Sequence, residues 1–126
     1  MPWIKVDNQL PDNPKIVSVG PIAAWLYVCG LCYCDRLLTD GFIPVEKLEQ
    51  LVPHTQDRSI HESPLRLADL LCDVGLWKPA TRRGVTGFRV HDYLKYQSSK
   101  EEIVTARTKN AERQRRFRAG GNGAET

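Results

Sequence analysis

The longest apolar segment of the chain, residues 22–37, sets the strongest limit on how the rest can fold. It reads IAAWLYVCGLCYCDRL, has no internal proline, and is apolar on nearly every side when wound as a helix. Pro21 suits the first position of a helix, and Thr39, Asp40 and Gly41 follow as a break. A helix that is apolar all round is buried. The sequence therefore predicts one central helix against which the other elements pack.

Three of the four cysteines, Cys29, Cys32 and Cys34, lie in this segment and raise the question of a metal site. On a helix, Cys29 and Cys32 point about 60° apart, whereas Cys34 points about 160° away from Cys32. Such thiolates cannot close on one ion while the helix is intact, and a zinc knuckle needs a second ligand pair elsewhere. Cys72 and the three histidines offer no paired spacing. We therefore expect core cysteines, no metal and no cofactor.

Shorter patterns predict the elements on either side of the central helix. "WIKVD" at residues 3–7 alternates like a strand, and "KIVSV" is typical of a short helix that ends near Gly20. Pro44 opens "PVEKLEQLV", whose apolar positions predict a second helix. In "PLRLADLLCDVG", apolar residues recur at i, i+3, i+4 and i+7 from Leu67, which indicates a third helix that Gly75 ends.

The end of the globular part predicts a hairpin. "LWKPA", "TRRGVTG" and "FRVHDYL" have the patterns of a strand, a turn and a second strand. The order helix, helix, turn, helix and two-stranded wing is that of a winged helix-turn-helix domain. We predict an α+β winged helix-turn-helix domain over residues 1–97.

The formal charge of +3 is unevenly distributed. Residues 1–94 carry ten Lys/Arg and eleven Asp/Glu, whereas residues 95–118 carry eight Lys/Arg and three Asp/Glu. Ser99 and Glu102 have the spacing of a capping box, and too few apolar residues follow for a buried stripe. The sequence predicts a basic, partly ordered helix over residues 98–118 that protrudes into solvent, and a flexible tail over residues 119–126.

Several motifs together resemble one family. They are the "LTDG-x-IP" junction, the "GLW" exit from the third helix, "HDYLKYQ", and the following "R-x-RR-x-R". The pattern covers about residues 3–118 and resembles the winged-helix domain of phage and prophage replication proteins, the replisome-organiser or DnaD-like group common in actinobacterial phages. The resemblance implies binding of double-stranded DNA at an origin or operator and recruitment of replication machinery. Longer members of the family carry a further C-terminal domain.

The candidate DNA contacts are basic side chains in four places. The loop before the third helix supplies Arg58, and the third helix supplies Arg66, which shares its solvent face with Asp69 and Asp73. The turn of the hairpin supplies two arginines that are expected to be free of the core and able to reach a groove or phosphates. The C-terminal helix supplies the densest set, in which Lys109, Arg113 and Arg116 share one face. The two arginines of the hairpin turn are Arg82 and Arg83, and the other candidate cations of the C-terminal helix are Arg107, Arg115 and Arg118.

Other classes of protein find less support in the sequence. Since no nucleophile motif, phosphate-binding glycine loop or carboxylate cluster is present, we expect no enzyme and no catalytic residue. No apolar run is long enough for a membrane span, and no secretory signal pattern opens the chain, so we expect a cytoplasmic location. The resemblance to phage proteins implies that this is the cytoplasm of a bacterial host cell. An alternative stays open: the acidic third helix binds a replication or transcription protein, and the basic helix is secondary. The DNA site and the oligomeric state stay open too.

Overall fold

In the computed structural model, the described backbone covers residues 3–51, 63–97 and 99–124, and the described side chains are those of the same ranges except Tyr96 and residues 119–124. The described part is of the α+β class. In chain order its elements are a 3-10 turn at Leu10–Asp12, helix α1 (Pro14–Val19), helix α2 (Pro21–Leu37), strand β1 (Phe42–Pro44), a second 3-10 turn at Val45–Lys47, helix α3 (Leu48–Leu51), helix α4 (Pro64–Asp73), strands β2 (Trp77–Arg82) and β3 (Val85–Val90), and helices α5 (Tyr93–Tyr96) and α6 (Lys100–Ala124).

Helix α2 confirms the predicted central helix, but it is not covered on every side. Its buried face includes Ala23, Leu26 and Cys34, each with no exposed surface. Trp25, by contrast, is 53% exposed, and Cys32 is half-buried. The expectation of burial all round was therefore wrong for one stripe of the helix, because the described part of the chain places no element over it.

The sheet has three antiparallel strands in the order β1-β3-β2. Its first strand was not predicted: Pro44, expected to open a helix, instead ends β1 opposite Gly87. A side chain at Gly87 would overlap the carbonyl oxygen of Ile43, and its Cβ would lie 2.9 Å from the Cα of Pro44. Glycine at this position therefore allows so short a strand to pair closely with β3.

Helix α4 ends in the predicted way. Gly75 has φ +81°, its N–H donates to the Cys72 carbonyl at 3.0 Å, and the Leu76 N–H donates to the Leu71 carbonyl at 3.0 Å. These two bonds form a Schellman motif, which satisfies carbonyls that the helix end would otherwise leave without partners. The motif turns the chain directly into β2.

The core lies between α2, α4 and one face of the sheet, and Trp77 is its largest fully buried side chain. The Trp77 indole packs on Phe88, with ring centroids 5.7 Å apart. A Cβ at Gly30 of α2 would lie 2.8 Å from Cζ2 of Trp77 and 2.9 Å from Cδ1 of Ile43. Gly30 therefore gives the indole room to reach the backbone of the central helix.

The N-terminal segment differs from its prediction, since residues 3–7 form no strand. The side chain of Gln97 makes the bonds that a neighbouring strand would make. Its Oε1 accepts from the Lys5 N–H at 2.9 Å, and its Nε2 donates to the Lys5 carbonyl at 2.6 Å. Gln97 is buried, with 8% of its surface exposed. The alternating pattern of residues 3–7 therefore corresponds to a non-strand segment whose backbone is bound at Lys5 by the side-chain amide of Gln97.

Two further boundaries differ from the predictions. The second strand of the hairpin ends at Val90, and the chain then forms the short helix α5, whose Tyr93 is buried. Helix α6 continues past Arg118 to Ala124, into the residues predicted as a tail. No helix in the described part of the chain is both long and apolar enough to cross a membrane. The element order and the small antiparallel sheet are compatible with a winged-helix arrangement.

Candidate nucleic-acid interface

The β2–β3 hairpin closes through a two-residue turn, Arg83-Gly84, since Arg82 pairs directly with Val85. Arg83 has φ +51° and Gly84 has φ +79°. Positive φ at both central residues is the mark of a type I′ turn, which matches the twist of the strands and ordinarily favours Asn-Gly. Arg83 is exposed at this tip. The sequence placed the tip correctly but predicted a longer turn.

Arg82 has a different role from its neighbour. It is half-buried, and its Nη1 donates to the carbonyl of Thr39 at 2.6 Å. The expectation of two free arginines at the tip therefore holds only for Arg83. Arg82 links the hairpin to the loop between α2 and β1, so replacing Arg82 would lower the stability of the fold as well as remove a surface charge.

The loop between α2 and β1 also holds the start of α6. Oδ1 of Asp40 accepts from the backbone N–H of Lys100 at 2.5 Å, and Oγ of Ser99 accepts from the N–H of Glu102 at 3.1 Å. The second bond is half of the capping box that the sequence predicted. The two oxygens satisfy N–H groups that a helix start leaves without partners. The basic helix therefore begins at a fixed point on the globular body.

That loop has unusual backbone geometry. Leu38, Asp40 and Gly41 all have positive φ, at +55°, +54° and +99°. A Cβ at Gly41 would lie 2.8 Å from the Cβ of Tyr93, so both its backbone conformation and its close contact with α5 require glycine. The sequence indicated only a helix break here. The loop is in fact the point where the hairpin, α5 and α6 all meet the end of α2.

Helix α6 carries the predicted cations on an exposed surface. All its side chains from Lys100 to Arg118 are exposed except Ile103, which is half-buried. Lys109, Arg113 and Arg116 follow one face at i, i+4 and i+7. Three more cations, Arg107, Arg115 and Arg118, lie on the remaining sides of the helix. The positive charge thus surrounds the helix and does not form a single stripe.

Helix α4 shows a mixed surface. Leu67, Ala68 and Leu71 are buried, while Arg66, Asp69 and Asp73 are exposed. The solvent face of α4 therefore carries one cation and two carboxylates, as the sequence predicted. Arg58 belongs to residues 52–62, which lie outside the described residues.

All four cysteines are free thiols. Cys34 lies in the core and Cys29 and Cys72 pack against it, whereas Cys32 is half-buried on the uncovered stripe of α2, where the sequence predicted a core position. Burial raises the pKa of Cys29 and Cys72, and it raises the pKa of the fully buried Cys34 to about 11. No group of three or more His, Cys, Asp or Glu side chains within the described ranges is arranged to hold a metal ion. Cys29, Cys34 and Cys72 therefore pack as small apolar groups.

Sequence reasoning missed the residues that connect these parts. Asp40, Thr39 and Gln97 were quoted only as parts of a break or a motif, yet their backbone or side-chain oxygens hold α6, the hairpin and the N-terminal segment. No local pattern marks an acceptor whose donor lies far along the chain. No family model, curated protein or solved structure matches this chain.

Proposed function

We propose that this chain is a winged helix-turn-helix protein that binds double-stranded DNA and serves phage-type replication initiation in the cytoplasm of a bacterial host. The observation that carries the DNA-binding proposal is α6, an exposed helix with six Lys/Arg and one Glu between residues 107 and 118. An exposed array of this density attracts the phosphate backbone whatever the base sequence. The replication role is supported by the family resemblance of the sequence motifs alone.

Two features of the globular part support the winged-helix assignment. Helix α2, strand β1, helices α3 and α4, and the β2–β3 hairpin follow one another in the order of that domain. The hairpin then corresponds to the wing, with Arg83 at its tip. In this arrangement α6 supplies most of the electrostatic attraction, and Arg83 and Arg66 add contacts from the body.

The test compares two double substitutions that remove the same charge from different places. Lys109→Gln with Arg113→Gln neutralises one face of α6, and Lys15→Gln with Arg36→Gln neutralises two exposed cations of the body. Each phosphate contact contributes about −0.9 to the slope of log K against log salt on a duplex. We expect the first pair to flatten the slope by about 2 units and the second pair to leave it nearly unchanged. Equal effects of the two pairs would refute a specific role for α6.

One observation favours a second function, the binding of a protein by α4. Its outward face presents Asp69 and Asp73 beside Leu65, which is 49% exposed. Asp69→Asn with Asp73→Asn distinguishes the two functions. If α4 faces DNA, removing two negative charges raises duplex affinity. If α4 binds a protein, duplex affinity stays the same, and binding to a replication or transcription protein of the host or phage is weakened.

A further inference from the structure

The base of α6 forms one side of a cleft of about 340 Å³ against the N-terminal segment. Trp3, Ile103 and Ala106 supply its apolar lining. Trp3 is 84% exposed, so its indole borders the cleft with most of its surface open to solvent. A planar group that enters the cleft can therefore stack on the Trp3 indole.

The charged groups of the cleft balance one another. Lys5 and Arg107 line it together with Asp35 and Glu102. Two cations and two carboxylates give no net attraction for a phosphate. The cleft therefore suits an uncharged planar group such as a nucleobase, while the phosphates attached to such a group would be attracted to the cations further along α6.

A second exposed aromatic lies on the same line of the helix. Arg113 is seven residues after Ala106 and Phe117 is eleven residues after it, which places both within about 20° of the direction of Ala106. Phe117 is 80% exposed and lies about 16 Å along the helix axis from Ala106. Arg113 is exposed between the two aromatic positions. The line thus runs from a ring at the cleft, past a cation, to a second ring.

A protein helix is a poor occupant for this line. A helix that packed along it would need apolar residues at each turn, but Lys109, Asn110 and Arg113 occupy the turns between Ala106 and Phe117. A nucleic-acid strand needs the opposite pattern, cations for the backbone and rings for the bases. Bases in a duplex are already stacked, so only an unpaired strand can use both rings.

We propose that α6 and the N-terminal segment bind single-stranded DNA, with one base on Trp3 at the cleft, another on Phe117, and the intervening phosphates near Arg113. This inference rests on the proposed function, since it assigns to the DNA-binding helix a preference for unpaired strands. Single-stranded DNA binding also gives a role to Phe117, an aromatic residue that is 80% exposed on a helix surrounded by solvent.

The test measures binding of the full chain to a short fluorescent oligothymidylate and to a blunt duplex of equal length at one salt concentration. Stacking on one ring contributes enough for Phe117→Ala to weaken oligothymidylate binding by about ten-fold. Duplex affinity should stay nearly the same. Phe117→Trp should retain the strand affinity, whereas Phe117→Leu, which keeps the apolar surface without a ring, should lose it. Trp3→Leu should show the same selective loss.

The outcomes separate this inference from the function on which it rests. If Phe117→Leu binds the strand as tightly as the unchanged protein does, or if Phe117→Ala weakens strand and duplex equally, base stacking is refuted and DNA binding by α6 stands. If the unchanged protein binds the duplex but not oligothymidylate, base stacking is likewise refuted and DNA binding by α6 stands. If the unchanged protein binds neither, both proposals fail.

Discussion

At the scale of single residues, Cys34 shows how burial decides the chemistry of a side chain. Its side chain has no exposed surface, and its Sγ–H donates to the carbonyl of Phe42 at 3.8 Å. Burial raises the pKa of the thiol to about 11. Because the thiolate is the form that binds metals and reacts, Cys34 stays an inert core group at neutral pH.

The raised pKa of Cys34 makes the stability of the protein sensitive to alkali. Between its ordinary value of 9.0 and about 11, the folded protein holds a proton on this thiol that the unfolded chain has released. The free energy of unfolding should therefore fall as pH rises through this window, by up to about 2–3 kcal/mol from this group. The pKa of Tyr93 is also raised by burial and acts in the same direction.

The Cys34→Ala substitution removes the thiol and also its electrostatic contribution to the raised pKa of Tyr93, and both changes weaken the dependence of stability on alkali. Urea denaturation at several pH values should show a shallower decline for the variant above pH 9.0. Parallel curves for the two proteins would mean that the thiol titrates normally.

Arg82 and Arg83 are neighbours with opposite expected effects. Arg83→Asn removes an exposed charge and places the residue preferred before glycine in a type I′ turn, so the hairpin should become more stable while duplex affinity falls. Arg82→Ala removes the donor to Thr39 and should destabilise the protein by about 1–2 kcal/mol. Thermal denaturation of both variants checks the expected changes in stability, and duplex titration checks the expected loss of affinity. Lower stability of Arg83→Asn would contradict the type I′ turn, and unchanged duplex affinity would remove the tip from the interface.

At the scale of elements, the loop between α2 and β1 connects both parts of the proposed interface. Thr39 accepts from the hairpin through Arg82, and Asp40 accepts from the first N–H of α6. The loop follows the central helix directly, so the rigid core determines where each basic element begins. Helix α6 itself packs few side chains and depends on this start, since isolated helices are marginal in water.

Asp40 should therefore control how well the first turn of α6 is formed. Asp40→Gly keeps the positive φ accessible but removes the oxygen that accepts from Lys100, whereas Asp40→Asn keeps both. We expect Asp40→Gly to reduce the protection of the first turn of α6 against amide hydrogen exchange, by an amount equivalent to about 1 kcal/mol. Asp40→Asn should resemble the unchanged protein. Equal protection in all three proteins would show that this bond does not hold the helix.

At the scale of the whole molecule, local patterns predicted the parts and missed the connections between them. The bounds of α2, the Schellman end of α4 and the position of the hairpin turn follow from proline, glycine and apolar periodicity, all of which act within a few residues. The bond from Lys100 to Asp40 joins residues 60 apart, and the bonds between Gln97 and Lys5 join residues 92 apart. Strand β1 was missed for the same reason, because its partner β3 lies far along the chain.

In the proposed function, a folded body holds a basic helix, α6, that binds the phosphates of DNA. In free solution we expect α6 to be frayed beyond about Ala106, because its cations repel one another and little apolar surface is buried, and to become ordered when phosphates neutralise that charge. This behaviour would leave the body intact when the helix is shortened.

Deleting residues 107–126 removes six Lys/Arg of α6 and none of the residues that precede this segment. Duplex affinity is measured over a salt series for both proteins, with thermal denaturation as the control for folding. We expect the slope of log K against log salt to flatten by roughly 3–5 units, because not every cation meets a phosphate, while any sequence preference of the body survives. A deletion that left both slope and affinity unchanged would contradict DNA binding by α6 and assign the helix to a different partner.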